Sequence, residues 1–407
     1  MKEASIEFIP EGTVTSPRGF CAGATYAGIK KGGTGDKPDL GILFSEVPAV
    51  IAGVFTTNLI KSAPVLLCQQ RLSQGEAAVV VVNSGCANAC TGDSGMDDAV
   101  EMAAMTAKAI GVKTDEVLVA STGVTGQRLP MKLIEEGVHQ VMISAQGGHD
   151  LARAMMTTDT IPKEVAVTAR VDGVEFTIGG VAKGSGMIHP NMATMLSFLT
   201  TDAAVEPSFL RSALKKATDI SFNMVIVDGD TSPSDTFMIM ANGQAGNEPV
   251  SEGSPLAGTF QQALEKVSVY LARLIAGDGE GATRLIEVTV EGAVSDDEAR
   301  LVARTIAVSP LVKSAVHGAD PNWGRIIVAA GYSGAEVVES KIDLDIGDVS
   351  LLRAGKPLAF SDDNVVKVFE QSEVPIRLNL NLGTGSATAW GCDLSEEYVT
   401  INSQYMT

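Results

Sequence analysis

The stretch best suited to chemistry starts at Lys183 and runs through Gly184-Ser185-Gly186-Met187-Ile188-His189-Pro190-Asn191-Met192-Ala193 to Thr194 and on to Asp202. It begins as a glycine-rich loop and turns, at Thr194, into an apolar, β-prone run, Met195-Leu196-Ser197-Phe198-Leu199. A loop that delivers one hydroxyl to the start of a buried strand can make that hydroxyl a nucleophile. An ordinary loop-to-strand join is the competing reading. Lys183 can bind a carboxylate or a phosphate, or stand solvated. Thr122-Gly123 can offer a hydroxyl and backbone N–H groups to an anionic oxygen, or form a plain turn before a helix. His189 is a lone loop histidine, a weak candidate for a base. There is no G-x-S-x-G elbow with a downstream histidine, so a Ser-His-Asp arrangement is poorly supported. Gly184-x-Gly186 lacks the third glycine of a dinucleotide fingerprint, and no Walker loop is present. Gly229-Asp230 and Gly277-Asp278-Gly279-Glu280 lack EF-hand spacing and read as turns. His317 to Gly324 reads first as a structural loop.

These loops need rigid elements to hold them. Leu40 to Phe44 and Ala49 to Thr56 read as two strands joined by a Pro-containing turn. Ala77 to Asn83 and Val117 to Ala120 are continuous apolar runs that empty into polar loops, the pattern of buried strands. Thr91 to Gly111 reads as a helix, with Asp97 and Asp98 near its start. Pro130 opens another, and residues 149–156 form a third. Glu164 to Arg170 and Val174 to Gly180 alternate cleanly about Val171-Asp172-Gly173, a β-hairpin. Phe260, Leu264, Val267, Leu271, Leu274 and Ile275 mark one face of a long helix. After Thr283 the pattern shifts: Leu285 to Val290, Gly324 to Ala330, Lys341 to Ile346, Arg377 to Leu382 and Ser386 to Trp390 read as strands, Asp296 to Ala307 and Pro310 to Val316 as helices. The sequence therefore predicts a layered α/β domain over 1–284, a smaller α+β domain over 285–397, and a tail, 398–407, too polar to be core.

The composition narrows the function. The chain has 407 residues, 45% hydrophobic and 19% charged, with 30 basic against 49 acidic side chains and a net charge of −19. Such a chain repels phosphate backbones, which argues against a nucleic-acid partner. No apolar run approaches the roughly 18 residues of a membrane span, and Met1 to Glu7 has no apolar signal core. The five cysteines leave no complete disulfide framework. With four scattered histidines they offer no zinc spacing, so no metal is expected. A reducing, cytoplasmic setting is the expectation.

Lys183-Gly184-Ser185-Gly186-Met187-Ile188-x-Pro190-x-Met192-Ala193-Thr194-Met195-Leu196 closely resembles the self-cleavage region of the ornithine acetyltransferase (glutamate N-acetyltransferase) family. Further stretches match in the family's order. They include Asn83-Ser84-Gly85, Ser121-Thr122-Gly123-Val124, Met156-Thr157-Thr158-Asp159, Asp228-Gly229-Asp230-Thr231-Ser232, Gly277-Asp278-Gly279-Glu280-Gly281 and His317 to Arg325. The resemblance spans essentially the whole chain.

The resemblance implies a self-processing αββα-type sandwich with a second, smaller α+β domain. It implies cleavage between Ala193 and Thr194, with Thr194 then acting as nucleophile and its new α-amine as base. It places Thr122 and Gly123 in an oxyanion hole, and Thr157, Lys183, Thr194, Glu280, Asn402 and Thr407 around the substrate. The implied reaction carries acetyl from N2-acetylornithine to glutamate in arginine biosynthesis, without a cofactor. Acetyl-CoA is left open as a second donor, and an α2β2 assembly is implied. Two rivals stand beside this reading: an aminopeptidase-like hydrolase of the related self-processing fold, and an uncleaved binding protein.

Overall fold

The computed structural model describes residues 4–30, 37–189 and 195–404. Among them, nine strands form one sheet and seven another. The larger sheet runs, in spatial order, Ser5–Phe8, Lys163–Val171, Val174–Lys183, Leu196–Thr201, Thr236–Ala241, Leu40–Phe55, Glu76–Cys86 and Val117–Val124, with Phe20–Thr25 also on Leu40–Phe55. Its hairpin, Lys163–Val171 with Val174–Lys183, turns on Asp172 and Gly173, which take φ of 49° and 86°. Two left-handed residues in a row are what a tight hairpin of this hand requires.

Strand alternation assigns each face of this sheet its own helices. Phe237 and Ile239 point into a core with the helices Pro207–Ile220 and Ala257–Gly277, while Met238 and Met240 point into the opposite core. That second core is filled by residues of Ala63–Arg71, Gly92–Ile110, Met131–Val138 and Gly148–Met155. A period of two residues along each strand makes this division unavoidable. The long helix Ala257–Gly277 buries Phe260, Leu264, Val267, Leu271 and Ile275 on one stripe, each worth roughly 1.5–3 kcal/mol of burial. It packs against strands of both sheets.

The smaller sheet contains Leu285–Ala293 between Glu373–Asn379 and Gly385–Cys392. The helix Asp296–Val308 covers it, capped by the Ser295 hydroxyl on the N–H of Glu298. One of its strands, Val225–Ile226, comes from far upstream and pairs with Gly385–Cys392. The layered α/β class expected from the sequence is the one the chain adopts, with helices packed against two sheets.

Two elements differ from expectation. The expected strands 40–44 and 49–56 are one strand, Leu40–Phe55, whose pairing with Glu76–Cys86 shifts register between Phe44 and Ala49. Pro48 is exposed in that irregular stretch, where a missing N–H costs no ladder bond. Gly324 to Ala330 is not a strand but the helix Gly324–Gly331, with Ile326, Ala329 and Ala330 buried at helical spacing. Of the expected polar tail, residues 398–404 lie in the helix Glu396–Gln404, which buries no residue.

Candidate active site

The stretch around the proposed nucleophile is held at both shoulders. On the loop side, Asp228 accepts the N–H of Met187 at 2.6 Å and that of Ile188 at 2.9 Å. Met187 takes a left-handed φ of 56°, an uncommon conformation for an unbranched non-glycine residue. The Ile188 carbonyl accepts the N–H of Val227 at 2.8 Å, and the His189 carbonyl accepts the Thr231 hydroxyl at 3.0 Å. On the strand side, the Met195 carbonyl accepts the N–H of Thr236 at 2.9 Å. Ala193, Thr194 and Thr407 lie outside the described residues.

A cleft of about 180 Å³ opens beside this stretch, lined by Thr122, Gly123, Thr157, Lys183, Glu280 and Asn402. These are the six expected site residues that the structure describes, and it brings all six together. Met187, Met195, Ser232, Ser234 and Asp235 also line the wall. Lys183 ends the strand Val174–Lys183 and is 8% exposed. Its Nζ donates to the Thr157 hydroxyl at 2.8 Å and reaches the Thr122 hydroxyl at 3.4 Å. The strands bearing Lys183 and Thr122 are five steps apart in the sheet order, roughly 24 Å in a flat sheet. The sheet must therefore curl, and the irregularity at Phe44–Ala49 is a natural place to bend it.

Burial lowers the proton affinity of the Lys183 ammonium below the usual lysine range, and Asp159, Glu280 and Asp235 oppose that shift. Desolvation on its own would raise the carboxyl of Asp159. The Lys183 and Lys163 charges and the N–H of Gly184 outweigh it and hold the group well below the usual carboxylate range. Glu280 sits opposite, accepting the Asn402 amide at 2.7 Å. Gly186 makes room for it: a Cβ there would stand 2.4 Å from all three carboxylate atoms of Glu280. Gly123 has a φ of 124°, and a Cβ on it would come within 2.4 Å of the Gly85 carbonyl carbon. Only glycine lets the Thr122-Gly123 backbone lie this close to the neighbouring strand.

Sequence reasoning missed the acidic residue Asp235, which is 1% exposed. A pairing argument could have found it. Thr236–Ala241 runs parallel to Leu196–Thr201 with Thr236 opposite Leu196, so the residues just before both strands meet at one sheet end. The ionic group of Asp159, Lys163 and Asp278 behind the cleft was also missed, because its members converge only in the fold. His189, weighed as a base, is half-buried with a lowered imidazole proton affinity, caused by burial and the charge of Arg304.

A cation, a carboxylate and a hydroxyl–glycine pair lining one cleft on a layered α/β scaffold define an acyl-transfer type of site. The ArgJ family model matches residues 21–407. Arginine biosynthesis bifunctional protein ArgJ of Dehalococcoides mccartyi is 52% identical over 405 residues, covering 100% of both chains. The protein of that name from Symbiobacterium thermophilum is 51% identical over 97% of this chain and 99% of its own. Among solved structures, the ornithine acetyltransferase of Mycobacterium tuberculosis, complexed with ornithine, is 40% identical. It covers 47% of this chain and 100% of its own, with a TM-score of 0.43. The chain belongs to the ArgJ family, and it is an enzyme of arginine biosynthesis. Among the described residues, no helix is long and apolar enough to cross a membrane.

Proposed function

We propose that the chain cleaves itself between Ala193 and Thr194 and then moves acetyl from N2-acetylornithine to glutamate by a ping-pong route. In self-cleavage, Thr194 Oγ attacks the Ala193 carbonyl carbon. The C–N bond to Thr194 breaks, its nitrogen takes a proton, and an ester forms. Water hydrolyses the ester, leaving an Ala193 carboxylate and a Thr194 with a free α-amine. That amine has a pKa of about 8 and serves as base to its own hydroxyl. In transfer, Thr194 Oγ attacks the acetyl carbonyl of N2-acetylornithine, ornithine leaves with a proton, and an acetyl-Thr194 ester remains. The glutamate amine attacks that ester, releasing N-acetylglutamate and restoring the hydroxyl. Thr122 and Gly123 stabilise the oxyanion in both halves. Lys183 pairs with the α-carboxylate of either substrate and Glu280 with the ornithine side-chain ammonium, while Thr157, Asn402 and Thr407 complete the substrate pocket.

The observation that carries this reading is the convergence of Lys183, Thr157, Thr122, Gly123, Glu280 and Asn402 on one cleft that also reaches Met195, next to Thr194. The chemistry needs no cofactor. Acetyl-CoA is a second acetyl donor to the same threonine in this reading, and relatives carry the name bifunctional. The cleaved chains assemble as α2β2 in the cytoplasm. Incubation with N2-acetylornithine and glutamate tests the reading. N-acetylglutamate and ornithine in equal amounts are expected; acetate without N-acetylglutamate would make the protein a hydrolase instead. Acetyl-CoA with glutamate tests the second donor.

A further inference from the structure

Behind the cleft wall lies a buried ionic cluster that no step of the transfer uses. Lys163 is fully buried, and its Nζ stands 2.6 Å from Asp159 Oδ1 and 2.6 Å from Asp278 Oδ2. Three stretches meet on it. Asp159 Oδ2 accepts the N–H of Thr157 at 3.0 Å, and its Oδ1 accepts the N–H of Gly184, next to Lys183, at 2.7 Å. Asp278 accepts the N–H of Thr160 at 3.0 Å and stands two residues before Glu280. The N–H of Glu280 in turn donates to the Ser185 carbonyl at 2.8 Å.

Taking three charges out of water is a poor way to hold a fold together. Desolvation costs several kcal/mol per ion, and apolar residues of similar volume often serve as well. What a buried carboxylate adds is direction, because it fixes N–H groups at set distances and angles. We propose that Asp159, clamped by Lys163, is a positioning residue of the acyl-transfer site: it fixes the backbone at Thr157 and at Gly184 so that the Thr157 hydroxyl and the Lys183 ammonium meet in the cleft. The proposal rests on the functional reading of that cleft given above.

The charged groups facing Lys183 are Asp159, Lys163, Glu280 and Asp235, with Lys30 also near. Of the anions, Asp159 acts on it most strongly. Asp278 touches the same Lys163 but is not among the strongest influences on Lys183. Two variants, Asp159→Asn and Asp278→Asn, therefore each remove one carboxylate from the same buried lysine, yet only the first removes the strongest anionic influence on Lys183 and the bond to the Gly184 N–H. Removing the anion lowers the Lys183 proton affinity further, so its amine becomes neutral at lower pH.

The test compares full-length wild type with the two variants. The first readout is independent of the reaction: the pH dependence of Lys183 acetylation by acetic anhydride, followed by peptide mass. Asp159→Asn should move the midpoint down by about one pH unit, and Asp278→Asn should leave it in place. The second readout is KM for N2-acetylornithine, expected to rise about tenfold in Asp159→Asn, as for one lost hydrogen bond, and under threefold in Asp278→Asn. A cluster that only holds the fold would give both variants equal effects that follow the thermal midpoint; that result overturns the proposal. So does an active wild type whose Asp159→Asn variant keeps both midpoint and KM. A shifted midpoint in a protein that makes no N-acetylglutamate supports the clamp and sinks only the transfer reading. If Asp159→Asn does not fold, the charge-neutral pair Asp159→Asn, Lys163→Met replaces it with the tenfold rise in KM as the deciding readout, because loss of the Lys163 charge offsets loss of the Asp159 charge at Lys183.

Discussion

Gly186→Ala separates the site from the fold. The new Cβ would stand 2.4 Å from the Cδ, Oε1 and Oε2 atoms of Glu280, where ordinary contact begins at 3.4 Å. The carboxylate must retreat by about 1 Å. Its backbone is fixed through the Ser185 carbonyl, so the side chain moves, and its 2.7 Å bond from Asn402 stretches or breaks. If Glu280 binds the ornithine ammonium, one charge-assisted hydrogen bond is lost or bent, about 1.5–3 kcal/mol. That corresponds to a fall of roughly 10- to 150-fold in kcat/KM for N2-acetylornithine. The fold should notice little. Gly186 does not need a left-handed φ, and the clash is with the far end of a flexible side chain. The expected stability change is therefore within about 1 kcal/mol. Steady-state kinetics with N2-acetylornithine as the varied donor, beside a thermal melt, check both halves. Unchanged kcat/KM, or a loss of activity matched by a collapse in the thermal midpoint, would refute the role assigned to Glu280.

Other consequences are as specific. Gly123→Ala meets both an unfavourable φ and a 2.4 Å approach to the Gly85 carbonyl carbon, and displaces the proposed oxyanion donor; kcat should fall by about 10²–10³, read by acetyl transfer on material checked for folding. The rate should rise with pH as the Thr194 amine loses its proton near about 8. It should fall again as Lys183 does, at a pH below the usual lysine range because burial lowers it; Lys183→Arg should move only that basic limb, upward, in a pH–rate profile. Asp228→Ala frees the N–H groups of Met187 and Ile188. Self-cleavage should slow at least about tenfold, at about 1 kcal/mol per lost bond, seen as uncleaved chain in a pulse-chase gel.

Local signals in the sequence carried over where one physical cause dominated. Asp172-Gly173 between alternating runs left few options but a hairpin. The stripe from Phe260 to Ile275 had to be a helix with one buried face. Gly324 to Ala330 failed because a short apolar run has no decisive period; only its packing beside Asp296–Val308 selects the helix. Leu40–Phe55 looked like two strands because Pro48 reads as a stop, and a sheet irregularity absorbs it instead. At the site, Lys183 stood out locally beside the glycine-rich loop, whereas Glu280 was found through the resemblance and not through spacing. Asp235 and the Asp159–Lys163–Asp278 group escaped notice because their meaning lies in contacts such as that of Lys163 with Asp278, across 115 residues. Such contacts leave no local trace.

The central claim is that Thr194 cuts the chain to create itself as an N-terminal nucleophile. Intact mass measurement of purified protein, beside the Thr194→Ala variant, tests it most directly. Two chains are expected in the wild type, 1–193 and 194–407, the second with Thr194 at its free amino end, and one inactive chain near 42.2 kDa in the variant. A wild type that transfers acetyl while remaining a single 42.2 kDa chain would contradict it.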